Sequence, residues 1–118
     1  MKFKVAIPVF RMFDEAKARE FYIEYLGFKV DFEHRFGEDM PLYLGLNWHG
    51  FELHLSEHHG DASPGGSVRV SVDDLTAFHA ALPDYKYARP GILEQSWGMR
   101  EVHITDPFHN RIIFCEDM

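Results

Sequence analysis

The sequence predicts an α+β domain in which one order of elements, βαβββ, occurs twice. Three observations predict it. Segments with two-residue apolar alternation return after each of two helix-like stretches. A single Gly/Pro/Ser-rich stretch, 58–65, divides the chain. The same order of elements then restarts, so the chain divides into module 1–57 and module 66–118 joined by linker 58–65. At 118 residues this is one domain, or two half-size units sharing a core. A period near fifty residues also suits propeller blades, but two blades cannot close a ring.

In the first module, Lys2 to Phe10 alternates loosely around Val5, Ile7 and Val9, and Pro8 confines it to an edge or a strand end. Asp14 is placed to cap a helix that has Glu15 in its first turn. Ala16, Ala18, Phe21, Tyr22, Tyr25 and Leu26 recur at helical spacing as one buried stripe. Gly27 suits a left-handed end to that helix. Phe28 to His34 is a strand with Phe28, Val30 and Phe32 on one face. After a turn at Gly37-Glu38-Asp39, a third strand covers Pro41 to Trp48. His49-Gly50 then turns the chain into Phe51 to Leu55, where Phe51, Leu53 and Leu55 face opposite to Glu52 and His54.

In the second module Ser67 to Val72 alternates strictly, and Asp73-Asp74 caps a short helix that runs through Leu82 and stops at Pro83. A weak strand around Ile92 to Glu94 precedes a hairpin spanning Gln95 to Phe114. Val102 and Ile104 alternate there with Glu101, His103 and Thr105. Asp106 to Asn110 is turn chemistry, with Pro107 early and Asn110 able to take a left-handed backbone. Trp97-Gly98 stands at the hairpin entrance; such an aromatic either lines a cleft or, more commonly, covers a sheet edge.

Composition narrows the function. A net charge of −7 argues against nucleic acid, which needs clustered Lys and Arg. A single cysteine, Cys115, excludes an internal disulfide framework and suits a reducing cytoplasm. No run approaches a membrane span, and Met1-Lys2-Phe3-Lys4-Val5 has no signal-peptide character. The 11 Phe, 5 Tyr and 2 Trp suit a flat-stacking ligand or a sheet-rich core. Eight His are notable because His is the commonest metal ligand.

Several motifs together resemble the glyoxalase/bleomycin resistance family, within the vicinal oxygen chelate superfamily. They are Ala6-Ile7-Pro8-Val9, the helix end Glu20-Phe21-Tyr22-Ile23-Glu24-Tyr25-Leu26-Gly27-Phe28, the helix start Val72-Asp73-Asp74-Leu75, and Trp97-Gly98-Met99-Arg100-Glu101 followed by Asp106-Pro107 and Asn110. The resemblance covers essentially the whole chain. It implies two βαβββ modules forming a half-open sheet cleft in a dimer. Trp-Gly-Met-Arg-Glu with Asp-Pro is specific for the family and not for one activity.

In metal-dependent members of that superfamily, four positions on the first, fourth, fifth and eighth strands hold a divalent cation. Here the resemblance puts them at Ala6 or Ile7, at His54 (or Glu52 with a shift of two), at Ser67 and at Ile113. A catalytic site needs about three protein ligands, so the resemblance implies a metal-free member without a cofactor, of the bleomycin resistance type. Such proteins are homodimers that sequester an antibiotic in grooves at the subunit interface. The dimer also follows from a half-open sheet whose second face needs a partner.

The ligand-binding residues expected on this reading are Phe32, Phe36, Glu52, His54, Arg69, Trp97, Glu101 and His103. A cationic, planar-ringed ligand asks for aromatic faces and carboxylates. Arg69 departs from that, since a cation on the fifth strand repels a cationic ligand, and Asp106-Pro107-Phe108-His109-Asn110 departs from the usual turn. The alternative is a lyase, isomerase or dioxygenase of the same superfamily with a rearranged metal site using Glu52, His54, Glu101 and His103. His54 as a ligand or base competes with His54 as a strand residue satisfied by a neighbour, and the latter is favoured. The His58-His59 pair and Cys115 carry no catalytic signature.

Overall fold

The alternating segments pair into two four-stranded sheets of the same connectivity. The computed structural model describes residues 1–84, 86 and 89–118. Its first sheet holds β1 (Val9–Arg11), β2 (Lys29–His34), β3 (Tyr43–Trp48) and β4 (Phe51–Ser56), in the order β1-β4-β3-β2. The second holds β5 (Ser67–Ser71), β6 (Leu93–Glu94), β7 (Met99–Thr105) and β8 (Arg111–Asp117), in the order β5-β8-β7-β6. In each sheet the leading strand runs parallel to the last, and the other neighbours are antiparallel.

Asp14 caps α1 (Glu15–Arg19), its carboxylate accepting the Lys17 N–H at 3.0 Å. The helix continues as wider π-type turns over Glu20–Leu26, and Gly27 closes it at φ 97° with its N–H on the Tyr22 carbonyl. Ala18, Phe21, Tyr22, Tyr25 and Leu26 are buried as expected, whereas Ala16 is exposed. Ala16 and Ala18 lie two positions apart, on opposite sides of a helix, and cannot share its buried face. Asp74 caps α2 (Leu75–Ala81) by accepting the Ala77 N–H at 3.0 Å.

One core serves both halves. Phe10, Leu44, Leu46, Leu53 and Leu55 of the first sheet meet Val102, Ile104, Ile112 and Phe114 of the second, with Phe21 and Tyr22 from the first helix and Leu75 from α2. Each sheet therefore turns one face to the shared core and leaves the opposite face open.

A buried polar knot fastens the halves. The Tyr22 hydroxyl donates to Asp106 Oδ2 at 2.7 Å, and the Phe108 and Asn110 N–H groups donate to Oδ1 at 2.8 Å. Asn110 Nδ2 donates to the Arg11 carbonyl at 2.7 Å, and Asn110 Oδ1 accepts the Gly66 N–H at 3.0 Å. Burial raises the Asp106 carboxyl above its ordinary range and the Tyr22 phenol well above its own. The Asp-Pro…Asn motif is thus a fastening between modules. The left-handed residue of this turn is His109, φ 68°, and not Asn110, whose side chain is committed to the knot.

Two strand expectations are corrected. The first strand is confined to Val9–Arg11, while Phe3 stands 87% exposed on an extended arm. An alternating segment forms a strand only beside a free sheet edge, and β4 pairs with β1 only opposite His54–Ser56. Phe28, Val30 and Phe32 do not share a face. Phe28 enters the core, and a bulge between Val30 and Phe32 shifts the pairing so that Val30 faces Leu46 while Phe32 faces Gly45. The extra residue at Asp31 breaks the two-residue period and turns Phe32 to the open face.

Candidate ligand-binding faces

The open face of the first sheet carries an aromatic cluster. Phe32 lies over Gly45 so closely that a methyl group built there would stand 2.2 Å from its ring. The Phe32 ring stacks beside Tyr43 (centroids 6.2 Å, planes 12° apart) and meets His54 edge-on at 5.2 Å. The Tyr43 hydroxyl is hydrogen-bonded to His54 Nδ1 at 2.7 Å. Burial, and then the charge of Asp61, raise the Tyr43 phenol above its usual range, so it keeps its proton. A neutral His54 that accepts the phenol proton at Nδ1 holds its own proton on Nε2. Glu52 lies two residues along β4 on the same face. Phe36, just past β2, is exposed and packs edge-on against His34 (4.6 Å) and His58 (6.3 Å).

The open face of the second sheet carries a charged cluster. Glu101 is 1% exposed and accepts from Arg69 at 2.7 Å, His103 Nε2 at 2.8 Å and Gln95 at 3.1 Å. His103 and Arg69 together hold its carboxyl at about 2. The ionised carboxylate can only accept, so it orients the imidazole with Nε2–H toward it. Arg69 is paired within the fold: its guanidinium meets the Glu101 carboxylate at 2.7 Å. Trp97 is 64% exposed in the β6–β7 turn and stacks on no other aromatic among the described residues.

The structure therefore brings together Phe32 with His54, and Arg69 with Glu101 and His103, while Phe36 and Trp97 stand apart from both clusters. Sequence reasoning missed Tyr43, Gly45 and Gln95. Gly45 carried a legible signal, because a glycine inside a strand marks a close approach. Tyr43 and Gln95 carried none.

The resemblance assigns metal ligands to four positions, and two of them hold side chains that cannot coordinate a cation. Ile113 and Ala6 or Ile7 have no lone pair to donate, and Ile113 is packed opposite Arg69 and His103 in the sheet. His54 has Nδ1 committed to Tyr43. Among the described residues no group of three or more His, Cys, Asp or Glu is placed to share an ion.

Over residues 1–118 the sequence matches a family described as glyoxalase superfamily protein. The chain belongs to the glyoxalase superfamily. Among solved structures, the chain is 30% identical to the bleomycin-binding protein from bleomycin-producing Streptomyces verticillus complexed with copper(II)-bleomycin, covering 97% of this chain and 96% of that one at a TM-score of 0.69. A bleomycin-binding protein complexed with bleomycin is 21% identical over 98% of this chain and all of that one, TM-score 0.70. TnmS3, an antibiotic binding protein from Streptomyces sp. CB03234, is 22% identical over the whole of both chains, TM-score 0.68. The glyoxalase and bleomycin-binding proteins share this fold of paired four-stranded sheets. No curated protein sequence matches this superfamily member. No helix among the described residues is long and apolar enough to cross a membrane.

Proposed function

We propose that the protein binds a small antibiotic-type molecule, without chemical change, in grooves between the two subunits of a homodimer. The observation that carries this reading is the division of the site. Phe32, Tyr43 and His54 offer rings and a donor on one open face, and Arg69, Glu101 and His103 offer charge on the other. Both sheets turn their inner faces to one core, and each cluster lies on the open face of a different sheet. A groove lined by both clusters needs a second copy. The exposed arm that carries Phe3 supports such an assembly, since apolar alternation without a partner edge is a pairing surface. The similarity to the Streptomyces verticillus protein supports bleomycin as the first ligand to try.

Thermal unfolding with and without bleomycin tests the ligand. At a hundredfold excess over Kd a ligand that binds only the folded state adds about 2.7 kcal/mol. An unchanged Tm at saturating drug overturns bleomycin as ligand. Elution at monomer mass in gel filtration overturns the shared groove.

A further inference from the structure

A second concavity lies on neither open face. It opens on the helix side of the sheets, between α2 and the β3–β4 turn, with a volume of about 690 Å³. Four large rings wall it: Trp48, Phe51, Phe78 and Phe114. Phe78 and Phe114 lie 4.3 Å apart, and Trp48 meets them at 5.6 and 5.7 Å. Trp48, Phe51 and Phe78 are only partly buried. Protein interiors close such spaces to crystal-like density, and this volume lies within the range of small-molecule sites. Residues 6–8 of the arm line the adjoining groove along β5, which shares Phe51, Val70 and Ser71 with the cavity, and no arm residue lines the cavity itself among the described residues.

Charge defines the class of ligand. Asp73 and Asp74 line the cavity together with His49, and among the described residues no Lys or Arg does. Among the described residues neither aspartate enters an ion pair. Asp74 uses Oδ1 to cap α2. Aromatic faces attract cations through their quadrupoles, and a carboxylate adds to the attraction. We propose that this cavity binds a small organic cation with an aromatic body, the body against Trp48 and Phe78 and the ammonium toward Asp73 and Asp74. The site is independent of the groove between subunits and fails or stands separately from it.

The test is a ¹H–¹⁵N NMR titration with benzyltrimethylammonium. The chain has two tryptophans, so two indole signals appear, and Trp97→Phe assigns them. The proposal expects a saturable shift of the Trp48 signal with Trp97 unmoved, and binding of benzyl alcohol and of tetramethylammonium about tenfold weaker or more. The double variant D73N/D74N keeps a capping residue, since Asn caps as well as Asp, and should weaken the cation about tenfold. No saturable shift overturns the site. Equal binding of benzyl alcohol overturns the cation class, and this comparison stands on the unmodified protein even if the double variant fails to fold. Unchanged affinity in a folded double variant overturns the role of the aspartates.

Discussion

Adding one methyl group at Gly45 and at Gly66 separates the candidate site from the scaffold. Neither glycine has a left-handed backbone, so alanine fits both conformations, and only space decides. At Gly45 the new carbon would stand 2.2 Å from Phe32 Cε1 and 2.6 Å from Cδ1 and Cζ. Carbon pairs settle at ~3.5–4.0 Å, so the ring must withdraw by about 1.5 Å. Phe32 is 44% exposed and can leave toward solvent. Its lost ring packing costs ~0.5–1.5 kcal/mol, while replacing a glycine stiffens the unfolded chain by ~0.4–1 kcal/mol. G45A should therefore change stability by less than about 1 kcal/mol, from the difference of those two effects. At Gly66 the methyl would stand 2.9 and 3.1 Å from the Phe10 ring and 3.4 Å from Asn110 Oδ1. Phe10 is 2% exposed and has no exit. Overpacking there costs ~1–3 kcal/mol.

Urea unfolding midpoints read the stabilities. The chemical shift of the His54 ring protons reads the departure of the Phe32 ring, which stands 5.2 Å away. Bleomycin titration reads the consequence for binding. A loss of stability in G45A equal to that in G66A refutes the freedom of Phe32 to move. An unshifted His54 signal refutes the close approach over Gly45, and unchanged bleomycin affinity with a displaced ring removes Phe32 from the binding surface.

Glu101 titrates at about 2 in the folded protein against 4.5 for an unperturbed glutamate, so its ionised form favours the fold. That contribution is complete above pH 4.5 and is lost as pH falls from 4.5 toward 2; thermal melts of E101Q should show a flatter profile across that window, and identical profiles would remove the cluster as its cause. N110A strands the Gly66 N–H and frees the Arg11 carbonyl, for a cost of about 2–4 kcal/mol by urea unfolding; a near-neutral result would sink the knot as the fastening between modules. Y22F removes one of the donors to Asp106 and should cost about 1 kcal/mol, less than N110A. Y43F releases His54 Nδ1 with a stability change under about 1 kcal/mol, and ¹⁵N shifts of the His54 ring should show the tautomer redistributing; an unchanged tautomer would mean that Tyr43 does not set it.

Much of the fold is legible because it rests on local periodicity. The alternation through Glu101–Thr105 and Phe51–Leu55, the capping aspartates Asp14 and Asp74, and the left-handed Gly27 all act within a few residues of themselves. The same parity set His54, Glu101 and His103 on the faces opposite the core residues of their strands. The arm before Val9 misleads a local reading, since alternation states a readiness to pair and only a neighbouring edge decides whether pairing occurs. The bulge beside Asp31 misleads it too, because one unpaired residue reverses every side chain after it.

The sequence by itself determined the two βαβββ modules, their order and the sheet face of most strand residues, because each depends on contacts a few residues apart. Only the tertiary structure decided that Phe32 lies over Gly45 beside His54, that Arg69 is neutralised by Glu101 thirty-two residues away, and that Asp106 and Asn110 tie the second module to Tyr22 and Arg11. Those are long-range pairings between side chains. Their geometry is set by how the sheets pack, and no pattern within one strand encodes it.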